Sequence, residues 1–190
     1  MAKLQTERLS ISFRDTGPRD SKAALLLHGW PDDCSTWDLV AEKLNWGGIR
    51  TIMPNLRGFG DTRFLSDDAE RTANSGVLAM DAIALMDGLG IEEFAVAGHD
   101  WGSSVAEALA VGWPDRIPAI AMLSISPQPG TATAPAERQA RPEWWSRWFH
   151  AKGQGTGRVH RDRKSFALAM WKNWSPPGWF DEETFEQVAR

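Results

Sequence analysis

The 190-residue sequence has no tyrosine, a single cysteine and only four histidines. The one cysteine, Cys34, excludes an intrachain disulfide, so we expect a reducing compartment. No partner histidine or sharp turn frames Cys34, which makes it a poor candidate for a nucleophile. No apolar run approaches the ~20 residues of a membrane-spanning helix, and residues 1–8 lack the apolar core of a signal peptide. The sequence therefore predicts a cytoplasmic protein that does not insert into membranes.

Positive charge is not in excess, because 21 lysines and arginines against 25 aspartates and glutamates give a net charge of −4. The only basic run, residues 158–164, is short and is interrupted by Asp162. Such a balance argues against a nucleic-acid or anionic-membrane partner, which requires a basic face. Neither His28 nor His99 pairs with another ligand-type residue at metal spacing, so we expect no metal, and we expect no cofactor.

Apolar runs alternate with helical patterns along the first two thirds of the chain. This order predicts βαβ units and a mostly parallel sheet with helices on both faces. Helical spacing assigns Val40 and Met80 to the core-facing side of the first two helices. The predicted strands cover residues 9–13, 23–27, 49–53, 94–97 and 117–125, and the predicted helices start near residue 36 and cover residues 75–89 and 103–113.

One stretch joins a buried strand directly to a helix through Gly98, Asp100 and Gly102. This Gly-x-Asp-x-Gly spacing is that of a nucleophile elbow, in which flanking glycines let strand and helix approach closely. It predicts that the Asp100 carboxylate is exposed at the start of the helix. The plainer alternative is a strand-to-helix turn that merely contains an aspartate.

Two further loops follow the ends of predicted strands. They read His28-Gly29-Trp30-Pro31 and Arg57-Gly58-Phe59-Gly60-Asp61-Thr62, and the ends of parallel strands are where ligands bind in open α/β sheets. Arg57 and Asp61 are expected to hold their loop in place. With the Gly-His-Asp-Trp-Gly stretch, these loops resemble the α/β-hydrolase family, in its epoxide hydrolase and haloalkane dehalogenase branch. The resemblance covers about residues 9–126.

The resemblance implies that Asp100 is a nucleophile that attacks carbon and forms an alkyl-enzyme ester. A carboxylate is ionised at neutral pH and needs no base for this step. A histidine-activated water would then hydrolyse the ester, while the backbone N–H groups of Trp30 and Trp101 hold the oxyanion. Trp101 would also line the substrate site. Support of these loops is assigned to His28, Gly29, Pro31, Gly98, His99 and Gly102.

The composition changes near Pro127, so we divide the chain into an N-terminal part of the hydrolase core, residues 1–127, and an incomplete helical cap region, residues 128–190. Six of the eleven tryptophans lie between positions 144 and 179. Trp145 and Trp148 are candidates to bind a small apolar substrate, with core packing as an equal alternative. For Trp171 and Trp174 we expect core packing.

The order expected from the resemblance is nucleophile, acid and then histidine. Only His150 and His160 follow Asp100, both in the cap-like region, and Ser124–Gln128 contains no carboxylate. We therefore expect the acid, the base and the last strands of the fold to lie outside this sequence. The chain alone is expected to be inactive and to expose an open sheet edge.

The absence of tyrosine bears on the substrate. Epoxide hydrolases of this branch protonate the epoxide oxygen with cap tyrosines, whereas Trp145 stands where one such tyrosine is expected. Dehalogenases instead stabilise the leaving halide with tryptophan N–H groups. The loop motifs favour an epoxide hydrolase, with a haloalkane-type dehalogenase as the alternative and a non-catalytic binding scaffold as an alternative of another class.

Overall fold

The computed structural model describes residues 1–69, 71–124 and 162–189. The chain divides into two compact units, residues 1–125 and 126–190. The strands of the described residues are β1 (Ala2–Gln5), β2 (Leu9–Thr16), β3 (Ala23–Leu27), β4 (Arg50–Pro54), β5 (Arg63–Phe64), β6 (Phe94–His99) and β7 (Ile120–Leu123). Their α-helices are α1 (Asp38–Trp46), α2 (Ser75–Gly88), α3 (Trp101–Gly112), α4 (Arg163–Trp174) and α5 (Glu182–Val188).

The first unit is built on one mixed sheet in the order β1-β2-β4-β3-β6-β7, with β5 paired to β2. Strands β4, β3, β6 and β7 are parallel to one another, whereas β2 is antiparallel to β1, β4 and β5. The alternation of strands and helices produces this parallel part, because each helix returns the chain to the start of the next strand. The predicted α/β class with a mostly parallel sheet is confirmed.

Helices cover both faces of the sheet, and β3 shows this by its alternating side chains. Leu25 and Leu27 belong to the larger apolar core, which includes buried residues of α2 and α3. Ala24 and Leu26 point to the opposite face, where they belong to a smaller core with Ala41 of α1. All five residues of β3 are buried, as expected for a continuous apolar run between two helical layers.

The predicted core face of α2 is wrong at Met80, which is 55% exposed, and that of α1 is wrong at Val40, which is 42% exposed. The α2 sequence is apolar on nearly every side, so spacing alone does not select the buried face. The buried residues of α2 are Leu78, Ala79, Ala82, Ile83, Leu85 and Met86.

Strand boundaries differ from prediction mainly at the sheet margins. β1 is absent from the prediction because its sequence, Ala-Lys-Leu-Gln, alternates over only four residues and contains a single large apolar side chain. β7 begins at Ile120, three residues later than predicted, since a 3₁₀ turn over Pro114–Arg116 precedes it. None of the helices in the described parts of the chain is long and apolar enough to cross a membrane.

The described part of the second unit contains α4 and α5, each started by an aspartate. Asp162 accepts the N–H of Ser165, and Asp181 accepts the N–H of Thr184. Trp171 packs edge-on against Phe185, with ring centroids 5.5 Å apart. The indole of Trp171 thus lies in aromatic packing, as expected for a core residue. Trp145 and Trp148 lie outside the described residues.

Candidate active site

Three loops meet at one edge of the sheet because they follow the carboxyl ends of parallel neighbours. β3 lies between β4 and β6, and Leu27 is in register with Gly98. The loop after β3, residues 28–31, is therefore placed between the loop after β4 and the turn after β6. These are the three loops singled out from the sequence.

The turn after β6 holds Asp100 in an unusual backbone conformation, with φ 54° and ψ −115°. A positive φ is strained for a residue with a side chain and persists only where the surroundings impose it. A Cβ at Gly98 would overlap the Gly102 carbonyl, and a Cβ at Gly102 would overlap the Leu27 carbonyl. Both glycines are therefore required by the close approach of β6, α3 and β3.

The Asp100 carboxylate lies against the loop after β3. The backbone N–H of Trp30 donates to Asp100 Oδ1 at 3.0 Å. A Cβ at Gly29 would lie 2.5 Å from the Asp100 Cβ, so only glycine permits this approach. The Trp30–Pro31 peptide bond is cis.

Asp100 is also the residue that precedes α3, and Trp101 is the first residue of that helix. The N–H groups of a first helical turn have no acceptor within the helix and carry its positive dipole end. The Asp100 carboxylate therefore lies where negative charge is favoured. The same end of α3 would favour a negative charge that develops on this carboxyl group during a reaction.

His28 joins the loops after β3 and β4 through both ring nitrogens. Its Nε2 accepts the backbone N–H of Leu56 at 3.0 Å, so Nδ1 carries the proton and donates to the Gly29 carbonyl at 2.9 Å. Burial lowers the pKa of His28 to about 4. A neutral ring that is fully buried and has both nitrogens occupied is suited to hold the loops rather than to act as a base.

The loop after β4 is fixed to α2 by a guanidinium fork. Arg57 donates to both carboxylate oxygens of Asp81 at 2.6 Å, and its third contact is the Thr72 carbonyl at 3.0 Å. Asp61, in contrast, lies at the surface 3.7 Å from Lys3. Of the two charged residues predicted to hold this loop, Arg57 has the buried contacts.

A buried polar network lies beneath these loops. Asn55 donates to the Ser12 hydroxyl at 2.9 Å and accepts the Cys34 backbone N–H at 3.0 Å, while Thr62 donates to the Asn55 carbonyl at 2.7 Å. These bonds connect the loop after β4 to β2 and to the start of the 3₁₀ turn before α1. Burial raises the pKa of the Cys34 thiol to about 12, so this cysteine is not a nucleophile at neutral pH.

Phe59 brings aromatic surface from the loop after β4 to the site. Its ring stands edge-on to His28 at 5.0 Å and edge-on to Trp101 at 6.2 Å between centroids. Phe59 thereby connects the three loops through apolar contact, in addition to their hydrogen bonds. The rings of Phe59 and Trp101 thus place apolar surface next to the elbow.

His99 precedes Asp100 and is half-buried, and its Nδ1 is buried without a hydrogen-bond partner among the described residues. Asp33 caps the following turn by accepting the Ser35 N–H at 2.8 Å. In the described parts of the chain, no group of three or more histidine, cysteine, aspartate or glutamate side chains could hold a metal ion.

The structure thus brings together Trp30, Asp100 and Trp101, with the surrounding residues assigned to loop support. Sequence reasoning missed Asn55, Phe59 and Ser103. Asn55 directly follows a buried strand, which is a usable signal for a loop-fixing polar residue. Phe59 and Ser103 stand inside or beside recognised motifs, but nothing in the sequence indicates which residues they touch.

The sequence of residues 23–182 matches the α/β hydrolase fold family. The chain belongs to the α/β hydrolase fold family. Within that family its similarities lie with the epoxide hydrolase branch.

The chain is 32% identical over 163 residues to epoxide hydrolase 3 of Siraitia grosvenorii, and the matched region covers 86% of this chain and 50% of that protein. It is 30% identical over 117 residues to a haloalkane dehalogenase of Psychrobacter cryohalolentis, covering 62% of this chain and 38% of that protein. A proposed epoxide hydrolase from Klebsiella pneumoniae superposes with a TM-score of 0.85 at 34% identity, covering 100% of this chain and 63% of that chain. The chain spans half or less of the length of these two curated relatives.

Proposed function

We propose that the protein is a hydrolase of the epoxide hydrolase type in which Asp100 is the nucleophile. The observation that carries this proposal is the 3.0 Å hydrogen bond from the Trp30 N–H to Asp100 Oδ1. It gives the two carboxylate oxygens different roles, because Oδ1 is held by a backbone donor while Oδ2 accepts no hydrogen bond from a described residue. Similarity to named epoxide hydrolases supports the same reaction class.

In the first step, Oδ2 of Asp100 attacks a ring carbon of an epoxide. The C–O bond of the ring breaks, its electron pair moves to the epoxide oxygen, and the product is an alkyl ester of Asp100 that carries a hydroxyl group after protonation. The required proton comes from water or from an acid in the complete active site. Asp100 is suited to this step because its backbone presents the carboxylate at a strained turn between fixed loops.

In the second step, water attacks the ester carbonyl carbon and gives a tetrahedral oxyanion. We assign Oδ1 as the oxyanion, because the Trp30 N–H already points at it. The Trp101 N–H, at the first turn of α3, is the proposed second donor. Removing one donor of this kind costs about 3 kcal/mol of transition-state stabilisation. The ester then breaks to release a diol and restore the Asp100 carboxylate.

A haloalkane-type dehalogenase is the second candidate. The chain has no tyrosine to protonate an epoxide oxygen, and Trp101 follows the nucleophile, where an indole N–H could face a leaving halide. The match to a haloalkane dehalogenase supports this alternative. Oδ2 would again attack carbon, and the carbon–halogen bond would break with its electron pair leaving as halide.

We also propose a small apolar substrate and a cytoplasmic location. Phe59 and Trp101 supply apolar ring surface beside Asp100, which supports the first point. The single cysteine, Cys34, is free and buried, which supports a reducing compartment.

The direct test is covalent labelling. The chain is incubated with an aryl epoxide or with a primary alkyl bromide, and its intact mass and Asp100 peptide are measured. We expect a mass increase of one epoxide on the Asp100 peptide and none in Asp100→Asn. The matched control is Asp61→Asn, which removes an exposed carboxylate from the neighbouring loop and should label like the wild type.

The second step needs the histidine that we expect outside this sequence, so repeated turnover of the intact protein in heavy-oxygen water tests it. Hydrolysis of the ester through its carbonyl carbon places heavy oxygen in the Asp100 carboxylate. Labelling by the bromide alone would favour dehalogenation. Absence of any adduct at Asp100 with both reagents would reject the nucleophile and favour a binding scaffold.

A further inference from the structure

Ser103 is a buried residue of α3 that neither the motifs nor the proposed chemistry uses. Its side chain is fully buried, with 0% exposure, at the third position of the helix that follows the elbow. A buried hydroxyl requires partners, and those of Ser103 all belong to segments that end beside Asp100.

The partners of the Ser103 side chain lie on β6 and β7. The hydroxyl oxygen accepts the Leu123 N–H at 3.0 Å. Its single proton is shared between two carbonyl oxygens, those of Gly98 at 2.7 Å and Leu123 at 2.6 Å. The hydroxyl therefore joins the last residue of β7 to the strand that leads into the elbow.

The backbone completes a closed ring around Asp100. The Asp100 N–H donates to the Leu123 carbonyl at 3.0 Å, and the Ser103 N–H donates to the Asp100 carbonyl at 3.0 Å. Since Leu123 N–H donates to the Ser103 hydroxyl, the ring runs from Asp100 to Leu123, to Ser103 and back to Asp100. The Asp100 N–H is thus held by Leu123, which the Ser103 hydroxyl holds, and the Asp100 carbonyl is held by the Ser103 N–H.

We propose that Ser103 is a positioning residue for the Asp100 nucleophile, which it fixes by clamping the end of β7 to the elbow. The proposal rests on the proposed function for the identity of the nucleophile, and on the hydrogen-bond ring for the clamp. The positive φ of Asp100 needs such a clamp, because a strained backbone relaxes unless its neighbours prevent it. Relaxation would turn the carboxylate away from the Trp30 N–H.

The clamp acts on the orientation of the carboxylate and not on the substrate surface, since the Ser103 side chain has no exposed atoms to offer a ligand. Loss of the hydroxyl should therefore slow the chemical step and leave the binding of the electrophile unchanged. A residue that only stabilises the fold would alter neither quantity in the folded molecules.

The test compares the wild type with Ser103→Ala and with a matched control, Thr51→Val. Thr51 is also fully buried, and its hydroxyl contacts Thr16 and Asn45 at 2.8 and 3.2 Å. It lies near the start of β4, at the opposite end of the strands from the elbow. Both substitutions remove a buried hydroxyl with hydrogen-bond partners, so their general effects on folding are comparable.

The first measurement is amide hydrogen exchange, which does not depend on any activity. In the wild type, we expect the Asp100 amide to be protected like the core amide of Leu26. In Ser103→Ala, exchange at Asp100 and Leu123 should be about tenfold faster while that of Leu26 matches Thr51→Val. An unprotected Asp100 amide in the wild type, or unchanged exchange at Asp100 in Ser103→Ala, overturns the clamp even if one variant folds poorly.

The second measurement is the rate of epoxide labelling at Asp100. For Ser103→Ala we expect the rate at saturating epoxide to fall about tenfold, with less than a twofold change in the half-saturating concentration. An effect confined to the half-saturating concentration, or an equal loss in Thr51→Val, overturns the positioning role. If the wild type does not label, the proposed function fails, and the exchange measurement decides the clamp by itself.

Discussion

At the scale of single residues, the site depends on places where a side chain is absent as much as on the carboxylate itself. Gly29 allows the loop after β3 to lie directly against Asp100, and this contact brings the Trp30 N–H to Oδ1. A methyl group there would have to displace the nucleophile or the donor. The elbow glycines have the same role toward α3 and β3.

Gly29→Ala should therefore damage the chemistry more than the fold. The added Cβ would lie 2.5 Å from the Asp100 Cβ, and a displacement of about 1 Å can slow a reaction about 100-fold. We expect labelling of Asp100 to slow by roughly that factor, measured by intact mass against time.

Gly112→Ala is the matched control, because a Cβ at Gly112 would meet no atom within 4 Å. It lies at the end of α3, where alanine should leave labelling unchanged and raise stability by up to about 1 kcal/mol. Equal labelling rates in the two variants would show that the close approach at Gly29 is unimportant.

His28 makes stability depend on pH. Its pKa is about 4 in the folded protein against 6.5 ordinarily, because burial disfavours the charged ring. Between pH 4 and 6.5, His28 is protonated in the unfolded chain but stays neutral in the folded chain. The free energy of unfolding therefore falls as the pH falls from 6.5 toward 4. The expected loss in the free energy of unfolding is about 3 kcal/mol.

Denaturant unfolding at pH 7 and pH 4.5 measures this change. The comparison is His28→Gln, which retains an acceptor for the Leu56 N–H but cannot titrate. The variant should be less stable at pH 7 and should lose less stability on acidification. The same acid-induced loss in both proteins would assign it to other groups.

At the scale of elements, β2 and β4 are joined by a charged pair as well as by their ladder. Arg50 donates two hydrogen bonds to Asp15, each at 2.8 Å, and their side chains are only 9% and 10% exposed. The hydrogen bonds and positive charge of Arg50 hold the pKa of Asp15 below its ordinary value. Because the carboxyl pKa is lowered in the folded protein, the ionised Asp15 stabilises the fold at pH values above the ordinary aspartate pKa. This stabilisation is lost as the pH falls below that value.

Asp15→Asn should lower the free energy of unfolding at pH 7 by roughly 3 kcal/mol, since it leaves Arg50 charged and nearly buried without its paired carboxylate. The deficit should shrink as pH falls below the ordinary aspartate pKa, where the wild type loses the same interaction. Urea titrations at several pH values measure it. Asp115→Asn, at an exposed position, should be neutral, and a deficit that does not change with pH would contradict the assignment.

Sequence patterns predicted the central elements well because those elements are simple. Strand β3 is a continuous apolar run, and glycines with fixed spacing mark the elbow. The face of α2 was not predictable, since its residues are apolar on nearly all sides and only tertiary packing leaves Met80 exposed. At the site, motifs identified Asp100 and the loops, but the contacts of Phe59 and Ser103 arise between segments distant in sequence.

At the scale of the whole molecule, the end of the sheet at β7 exposes several apolar side chains on one strand. Ile120, Met122 and Leu123 are 41%, 37% and 52% exposed, and among the described strands β7 pairs only with β6. An unpaired edge with apolar side chains can accept another strand. We therefore expect the 190-residue chain to self-associate as its concentration rises.

Sedimentation velocity over a tenfold range of concentration measures this association. Met122→Lys should shift the chain toward monomer, because a charge on an edge strand opposes further pairing. Val111→Lys is the control, since Val111 is 78% exposed but lies on α3. A monomer at every concentration, with one cooperative thermal transition, would contradict this expectation.

The buried thiol has a practical consequence. Cys34 is the only cysteine, is 1% exposed and has its backbone N–H bonded to Asn55 beneath the loops. A thiol reagent can reach Cys34 only when the region beneath the loops opens locally. The modification rate at a given reagent concentration therefore measures how often this region opens. The protein thereby contains its own probe for local opening, and ligands that close the site should slow the reaction without any added label.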